Sequence, residues 1–276
     1  MTRTSILDLK AKKERGEKIV ALTAYDYPTA RILDESGVDL ILIGDSAANV
    51  VLGYESTLPV TLDEMIVLSA AVARGAHRAL VVADLPFMSY QVNADQALES
   101  AGRFIKEAGV GAVKLEGGHR SAPAIKRIVD AGIPVMGHLG LTPQSHLAFG
   151  GHKVQGREDS AARMLVEEAH ELEAAGVFSM VLEGIPWTLA REISHAIEVP
   201  TVGIGAGADC DGQILVLHDM IGLGGGDFKF VKRYADVEGE IERAVKEYAR
   251  EVRESAFPSD EHRFEPGTRR RKADPK

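Results

Sequence analysis

Cysteine is nearly absent from this chain. Cys210 is the only one, so the chain cannot form an internal disulfide or a zinc site built from cysteine pairs. The HExxH pattern of zinc proteases and the GxxxxGK[ST] phosphate loop are also missing. These absences exclude a disulfide-stapled secreted scaffold, a cysteine-based zinc site and a P-loop nucleotide enzyme.

Positive charge and long apolar runs are also scarce. The chain has 32 Lys and Arg against 41 Asp and Glu, which gives a net charge of −9 and argues against binding to nucleic acids or anionic membranes. No apolar stretch approaches the roughly 20 residues that span a bilayer. The first ten residues lack the apolar core and cleavage site of a signal peptide. We therefore predict a cytoplasmic protein.

A repeated unit is present in the middle of the chain. A helical stretch ends in glycine, the usual residue just past a helix end, and a short apolar run then leads to a polar residue. Such runs, rich in β-branched residues, are typical of buried parallel strands. The predicted strands are 18–23, 38–45, 79–84, 110–116, 134–138, 177–183 and 199–204, with 213–218 as a candidate eighth.

Helices are predicted between these strands. The stretch 159–175 has apolar residues at helical spacing, and Thr61 followed by Glu64 has the spacing of a capping box. Alternation of helices with about eight strands predicts an α/β fold, a (β/α)₈ TIM barrel rather than an open doubly wound sheet. We assign residues 1–257 to this single catalytic domain.

The two ends of the chain differ from the repeated unit. A helix over 5–16 precedes the first strand and is predicted to cap the bottom of the barrel. A long C-terminal helix over 236–256 carries an apolar seam that packs either on the barrel or on a neighbouring subunit. Residues 258–276 have little to bury, and we predict that they form a charged, disordered tail. The seam residues are Ile241, Val245, Tyr248 and Val252.

Four acidic residues stand at the ends of predicted strands: Asp45, Asp84, Glu116 and Glu183. The C-terminal ends of barrel strands carry the active site, and an unpaired carboxylate is costly to bury. Asp45, Asp84 and Glu116 together offer the oxygen ligands that a hard divalent cation such as Mg²⁺ prefers. For each acid, the ordinary alternative is a helix N-cap or a salt bridge.

Three further inferences concern single side chains near these acids. Lys114 lies two residues before Glu116 on one strand, so both point the same way, and its ammonium suits an anionic substrate group. A simple ion pair with a carboxylate is the alternative. His138 ends its strand between two glycines, which favours contact with a substrate. Glu183 is predicted to be a general base, with a cap or an ion pair as the alternative.

Several segments in order along residues 5–257 resemble ketopantoate hydroxymethyltransferases. They are Thr23-Ala24-Tyr25-Asp26, Gly44-Asp45-Ser46, Leu58-Pro59-Val60-Thr61, Ala83-Asp84-Leu85-Pro86-Phe87-Met88, Val113-Lys114-Leu115-Glu116-Gly117-Gly118, Gly137-His138-Leu139-Gly140-Leu141-Thr142-Pro143-Gln144, Gly150-Gly151-His152-Lys153-Val154-Gln155-Gly156-Arg157 and Gly203-Ile204-Gly205-Ala206-Gly207.

The resemblance implies a (β/α)₈ barrel related to the phosphoenolpyruvate mutase superfamily and assembled as a homodecamer. It implies an enzyme of pantothenate and coenzyme A biosynthesis. Such an enzyme transfers a hydroxymethyl group from 5,10-methylenetetrahydrofolate to 3-methyl-2-oxobutanoate (2-oxoisovalerate) and forms 2-dehydropantoate. Two alternatives stay open: another metal-dependent 2-oxo acid lyase or mutase of the same superfamily, and a non-catalytic scaffold.

The resemblance also implies roles for individual residues. Mg²⁺ is expected on Asp45, Asp84 and Glu116, the last partly through water, and Glu183 is expected to accept the proton. The residues expected to hold the 2-oxo acid are Asp45, Ser46, Asp84, Lys114 and His138.

Overall fold

The computed structural model describes residues 3–151, 153–224, 226 and 228–264. Eight parallel strands form a closed barrel in chain order, and the last strand pairs with the first. The predicted (β/α)₈ barrel is confirmed. The strands are β1 Ile19–Thr23, β2 Leu40–Ile43, β3 Leu80–Asp84, β4 Ala112–Lys114, β5 Val135–Gly140, β6 Ser179–Glu183, β7 Thr201–Ile204 and β8 Gly212–Leu215.

Helices surround the barrel and extend it at both ends of the chain. They are α1 Ile6–Glu14, α2 Tyr27–Glu35, α3 Ala47–Val50, α4 Leu62–Gly75, α5 Ala94–Arg103, α6 Ala122–Asp130, α7 His146–Phe149, α8 Asp159–Ala175, α9 Trp187–Ala196, α10 Leu217–Ile221 and α11 Val237–Arg253.

Most predicted boundaries agree with the observed elements to within a few residues. Helix α8 has the predicted bounds, and Thr61 caps α4 in a reciprocal capping box with Glu64. The candidate eighth strand is real but ends at Leu215. His218 was included in that prediction and instead lies in α10, because the chain turns into a helix immediately after β8.

Two apolar layers build the core. The outer layer lies between the strands and the helices, and the inner layer fills the barrel. Alternate residues of each strand enter the inner layer, as the two-residue period of a strand requires. Leu9 of α1 is fully buried in the inner layer, so the N-terminal helix closes the bottom of the barrel as predicted.

Helix α1 is fixed at both ends. Ser5 and Asp8 form a capping box at its start, which satisfies backbone N–H groups that a helix leaves unpaired. Near its end, the ammonium of Lys13 lies 3.0 Å from Asp211 Oδ2. The same ammonium donates to the carbonyl oxygens of Ser194, Ile197 and Val199 at 2.9, 3.0 and 2.9 Å.

The long C-terminal helix α11 buries none of its residues. The predicted apolar seam is therefore left open by the part of the chain that the structure describes. Its members Ile241, Val245, Tyr248 and Val252 are 48, 59, 57 and 44 % exposed. Among the described residues, the seam is therefore not buried against the barrel, which was one of its two predicted partners.

The predicted tail is described only as far as Phe264. A short 3₁₀ turn covers Asp260–His262, and Ser259 Oγ lies 2.8 Å from His262 Nδ1. The remainder of the tail, including the basic cluster at 269–272, lies outside the described residues. Among the helices that the structure describes, none combines the length and apolar character needed to cross a bilayer.

Candidate active site

Polar side chains continue the inward-facing pattern of the strands at the upper end of the barrel. Each lies two or four residues beyond a residue of the inner apolar layer, so strand alternation directs it toward the barrel axis. The apolar interior therefore gives way to a polar layer at the C-terminal ends of the strands. Its members are Asp84, Lys114, Glu116, His138 and Glu183.

Lys114 and Asp84 form a buried ion pair. They are register partners on β4 and β3, and Lys114 Nζ lies 2.7 Å from Asp84 Oδ1. The other carboxylate oxygen of Asp84 accepts a hydrogen bond from the backbone N–H of Asp45 at 3.0 Å. Of the two readings of Lys114 that the sequence left open, the ion pair is present in this structure.

His138 connects three charged side chains. Its Nδ1 lies 3.2 Å from Lys114 Nζ and 3.4 Å from Glu116 Oε1, and its Nε2 lies 3.3 Å from Glu183 Oε2. Burial and Lys114 act to lower the pKa of His138, but Glu116 and Glu183 outweigh them and raise that pKa to about 9. His138 is thus the contact between Glu183 and the other acids.

Gln144 is a central residue that the sequence reasoning missed. Its backbone N–H donates to Glu116 Oε2 at 3.0 Å and its side-chain amide to Asp45 Oδ2 at 3.1 Å. The amide oxygen accepts from the hydroxyl of Tyr90 at 2.8 Å. Gln144 lies in a 3₁₀ turn after β5. The sequence signals available were its polar character so soon after a strand end and its place at the close of a segment that carries the family resemblance.

Tyr25 was missed as well, although its position carries a signal. Alternate residues of β1 face the barrel interior, and Tyr25 keeps this alternation two residues beyond Thr23. Only 2 % of Tyr25 is exposed. Its hydroxyl lies 2.8 Å from Ser46 Oγ, and its ring packs against His218 with centroids 5.4 Å apart. Burial raises the pKa of Tyr25, so the phenol stays protonated beside Ser46.

None of the four acids is the N-cap residue of the helix that follows its strand. Those caps are Ser46, Asn93, Ser121 and Pro186. The helix-cap alternative therefore does not explain the acids. Their carboxylates instead form hydrogen bonds and ion pairs with other residues of a single polar cluster.

The cluster carries more negative than positive charge. Its four carboxylates face two side chains that can be cationic, Lys114 and His138. Burial raises the pKa of Asp45 well above its ordinary value, and the charges of Glu116 and Asp84 raise it further. The chain itself thus leaves Asp45 short of positive charge.

The chemistry of these residues can be compared with what a divalent cation requires. An all-oxygen donor set with excess negative charge suits a hard cation. In the described part of the chain, however, no three His, Cys, Asp or Glu side chains are already spaced as metal ligands. The reason is visible in the contacts, because Lys114 occupies Asp84 and Gln144 donates to both Asp45 and Glu116. The donors fit by chemistry and charge, without a preformed coordination shell.

Comparison with known proteins decides the family. A sequence profile described as "Ketopantoate hydroxymethyltransferase" matches residues 3–260. The chain belongs to this family. A relative from Thermobifida fusca (strain YX), named 3-methyl-2-oxobutanoate hydroxymethyltransferase, is 56 % identical over 262 residues, which cover 95 % of this chain and 94 % of the relative. A relative of the same name from Thermoanaerobacter sp. (strain X514) is 54 % identical over 263 residues, covering 95 % and 96 %.

Solved structures share the fold with this member of the ketopantoate hydroxymethyltransferase family. A phosphonopyruvate hydrolase, solved with oxalate and Mg²⁺, aligns with a TM-score of 0.61 at 13 % identity over 95 % of this chain and 93 % of that one. A 2,3-dimethylmalate lyase of the PEP mutase/isocitrate lyase superfamily aligns with a TM-score of 0.61 at 15 % identity, covering 96 % and 93 %.

Family membership makes the chain an enzyme, a one-carbon transferase. Family membership therefore favours a hydroxymethyltransferase over the two other interpretations of the sequence, a lyase or mutase of the same superfamily and a non-catalytic scaffold.

Proposed function

We propose that the chain transfers a hydroxymethyl group from 5,10-methylenetetrahydrofolate to C3 of 3-methyl-2-oxobutanoate and forms 2-dehydropantoate for pantothenate and coenzyme A synthesis. The observation that carries the residue assignments is the contact of His138 with Glu183 on one side and with Lys114 and Glu116 on the other. It unites a candidate base and a candidate anion-binding residue in one layer. The family match supplies the substrate class.

The oxo acid would bind among the inward-facing side chains. Lys114 provides the positive charge that the substrate carboxylate needs, and Ser46, held by Tyr25, provides a hydroxyl. Asp45, Asp84 and His138 complete the proposed substrate contacts. Because the layer is almost closed to solvent, charge interactions with the substrate act there with little screening.

Asp45, Asp84 and Glu116 would hold the divalent cation, for which we propose Mg²⁺. When bound, such a cation supplies Lewis-acid polarisation of the keto group beside C3. The residues that present these oxygens are Gln144, through its donation to Asp45 and Glu116, and Lys114, through its pairing with Asp84.

Glu183 would remove the proton from C3. Its carboxylate is 17 % exposed, so it lies at the solvent-facing edge of the polar layer, and His138 fixes its position. The C3–H bond breaks and its electron pair forms the new bond to the methylene carbon of the folate. Both bonds from that carbon to the folate nitrogens N5 and N10 break, and water supplies the hydroxyl of the product. The proton from C3 and one proton from water go to the two nitrogens, which gives tetrahydrofolate.

Exchange of the C3 hydrogen tests this assignment without requiring the folate. Substrate deuterated at C3 should lose its label to water in the presence of wild-type protein and Mg²⁺. Glu183→Gln should slow this loss by about 10²–10⁴-fold, the usual contribution of a general base. The matched control is Glu192→Gln, an exposed glutamate on α9. Exchange by Glu183→Gln at the wild-type rate would sink the proposed base.

We also propose that the chain assembles into a homo-oligomer, a decamer as the family resemblance implies. The open seam of α11 supports this, because its four apolar residues are about half exposed in the single chain and exposed apolar patches mark protein interfaces. Sedimentation velocity should give a mass near ten chains for wild type, and Val245→Asp should lower it. A wild-type monomer would contradict the proposal.

A further inference from the structure

A cavity of about 430 Å³ lies beside the polar layer and is not used by the chemistry described above. It lies between the chain segments that leave β4 and β5 and the first turns of α8. Leu139 lines it, and since Leu139 alternates with the inward-facing His138, the cavity is on the helix side of β5. Its volume falls within the roughly 300–1,000 Å³ of small-molecule sites.

The cavity walls are direct continuations of the strands that carry the active site. Gly117, a wall residue, follows Glu116 and donates its N–H to the carbonyl of His138 at 3.0 Å. Gln155, another wall residue, donates its N–H to the carbonyl of Gly184, next to Glu183, at 2.9 Å. A ligand in this cavity would therefore lie across the barrel rim from the substrate.

The cavity combines an apolar wall with two opposite charges. Leu139 and Leu165 are buried apolar residues, and Met164 adds a flexible one. Glu168 accepts a hydrogen bond from the backbone N–H of His119 at 3.3 Å. Arg120, held by Ser145, supplies a guanidinium.

Glycines make this arrangement possible. A Cβ at Gly118 would overlap the side chain of Glu168, and one at Gly117 would lie 2.7 Å from Nε of Arg120. Gly117 also has a φ of +105°, which disfavours other residues. The two glycines thus admit both charged side chains to the cavity wall.

We propose that this cavity binds the pterin ring of the reduced folate, with Glu168 accepting from the ring's N–H edge and Arg120 donating to the adjacent ring carbonyl oxygen. The inference rests on the proposed function, which requires a folate but does not locate it. A pterin is planar and offers adjacent N–H donors, which a carboxylate accepts in charge-assisted hydrogen bonds. Leu139, Met164 and Leu165 supply apolar surface for the ring faces.

Two variants on α8 test the site. Glu168→Gln keeps the shape of the side chain and removes the charge, and Ala161→Leu adds bulk to the cavity wall. Glu168→Gln should raise the KM for methylenetetrahydrofolate by about 10- to 100-fold, since a hydrogen bond to a charged group contributes about 1.5–3 kcal/mol. Ala161→Leu should raise the same KM because its added bulk occupies space that the ring needs. The control is Glu167→Gln, which is exposed on the same helix and does not line the cavity.

The folate-free exchange of the C3 hydrogen distinguishes a defect in folate binding from a defect in proton removal. Both variants should exchange label at the wild-type rate while binding tetrahydrofolate more weakly in isothermal titration calorimetry. Wild-type affinity for tetrahydrofolate in both variants would overturn the inference. A second pair of results would also overturn the inference: a changed sedimenting mass for Ala161→Leu together with an unchanged folate KM for Glu168→Gln. These results would identify the cavity as a subunit contact. If wild-type protein does not exchange the C3 hydrogen, the proposed function is contradicted. Calorimetric titration with tetrahydrofolate would still test whether the cavity binds folate.

Discussion

The ammonium of Lys114 and the carboxylate of Asp84 lie 2.7 Å apart on neighbouring strands, with side chains only 4 % and 2 % exposed. Removal of one partner from such a pair leaves a buried charge uncompensated. Lys114→Met should therefore lower the free energy of unfolding by about 3–5 kcal/mol in urea titrations. Adding Asp84→Asn should recover part of this loss.

The surface pair of Lys126 and Asp130 provides the control, because these side chains are 58 % and 53 % exposed. Lys126→Met should change stability by less than about 1 kcal/mol. Equal losses from Lys114→Met and Lys126→Met would contradict the idea that burial makes the Lys114 pair indispensable.

Gln144 holds two of the proposed cation ligands, so its loss should weaken binding of Mg²⁺. Gln144→Ala removes the amide that donates to Asp45, and Tyr90→Phe removes only the hydroxyl that orients that amide. We expect Gln144→Ala to reduce Mg²⁺ affinity by about 10- to 100-fold, as other residues that orient metal ligands do, and Tyr90→Phe by less. Isothermal titration measures both.

The control for Gln144 is Gln213→Ala, an exposed glutamine whose amide donates to the carbonyl of Gly207. It should leave Mg²⁺ affinity unchanged. If Gln144→Ala binds Mg²⁺ as tightly as Gln213→Ala does, Gln144 has no part in presenting the ligands.

Asp34, which lies far from the active site, makes the stability of the fold depend on pH. Its Oδ1 accepts hydrogen bonds from the backbone N–H groups of Arg78 and Ala79 at 2.8 and 2.7 Å. Burial acts to raise the pKa of Asp34, but the bonds from Ala79, Arg78 and His77 outweigh it and hold that pKa below its ordinary value. A depressed pKa stabilises the fold above the ordinary aspartate value of about 3.9, and this stabilisation is lost as pH falls through the folded-state pKa.

Urea titrations at a series of pH values below about 5 measure this contribution. Asp34→Asn keeps an acceptor oxygen and should flatten the pH dependence in this window, whereas Asp34→Ala should cost about 2–4 kcal/mol at neutral pH by stranding two donors. An unchanged pH slope in Asp34→Asn would assign the acid sensitivity to other carboxylates.

Leu9 should contribute far more to stability than Leu7 on the same helix. Leu9 is fully buried at the bottom of the barrel, and Leu7 is 72 % exposed. Leu9→Ala should lower the free energy of unfolding by about 2–5 kcal/mol, the range for large-to-small core changes. Leu7→Ala should change it by less than about 0.5 kcal/mol. Similar melting temperatures for the two variants would show that α1 does not close the barrel.

The fold was predictable because local signals agreed with one another. Glycines after helices, apolar runs of strand length and the capping box at Thr61 all pointed to the same alternation. The positions of the strand-end acids followed from parity and from the geometry of barrels. Tyr25 obeys that parity too and was within reach of the same reasoning.

Gln144 was beyond that reasoning, because its role depends on a turn that brings residues 116 and 45 to one amide. No spacing in the sequence encodes such a contact. For Lys114, the sequence offered an ion pair and an anion site with equal force. The ion pair depends on the distance between neighbouring strands, which only the folded barrel fixes, and the anion site stays a proposal.

The closure of the barrel has a consequence for how the protein is made. Ile19 of β1 pairs with Gly212 of β8, and Lys13 binds Asp211. A ribosome adding about 5–20 residues per second needs roughly 10–40 s to synthesise the intervening chain. For that time the nascent sheet has an open edge at β1, and Leu9 has no completed interior to enter. Newly made chains are therefore most in need of chaperone protection just before β8 emerges.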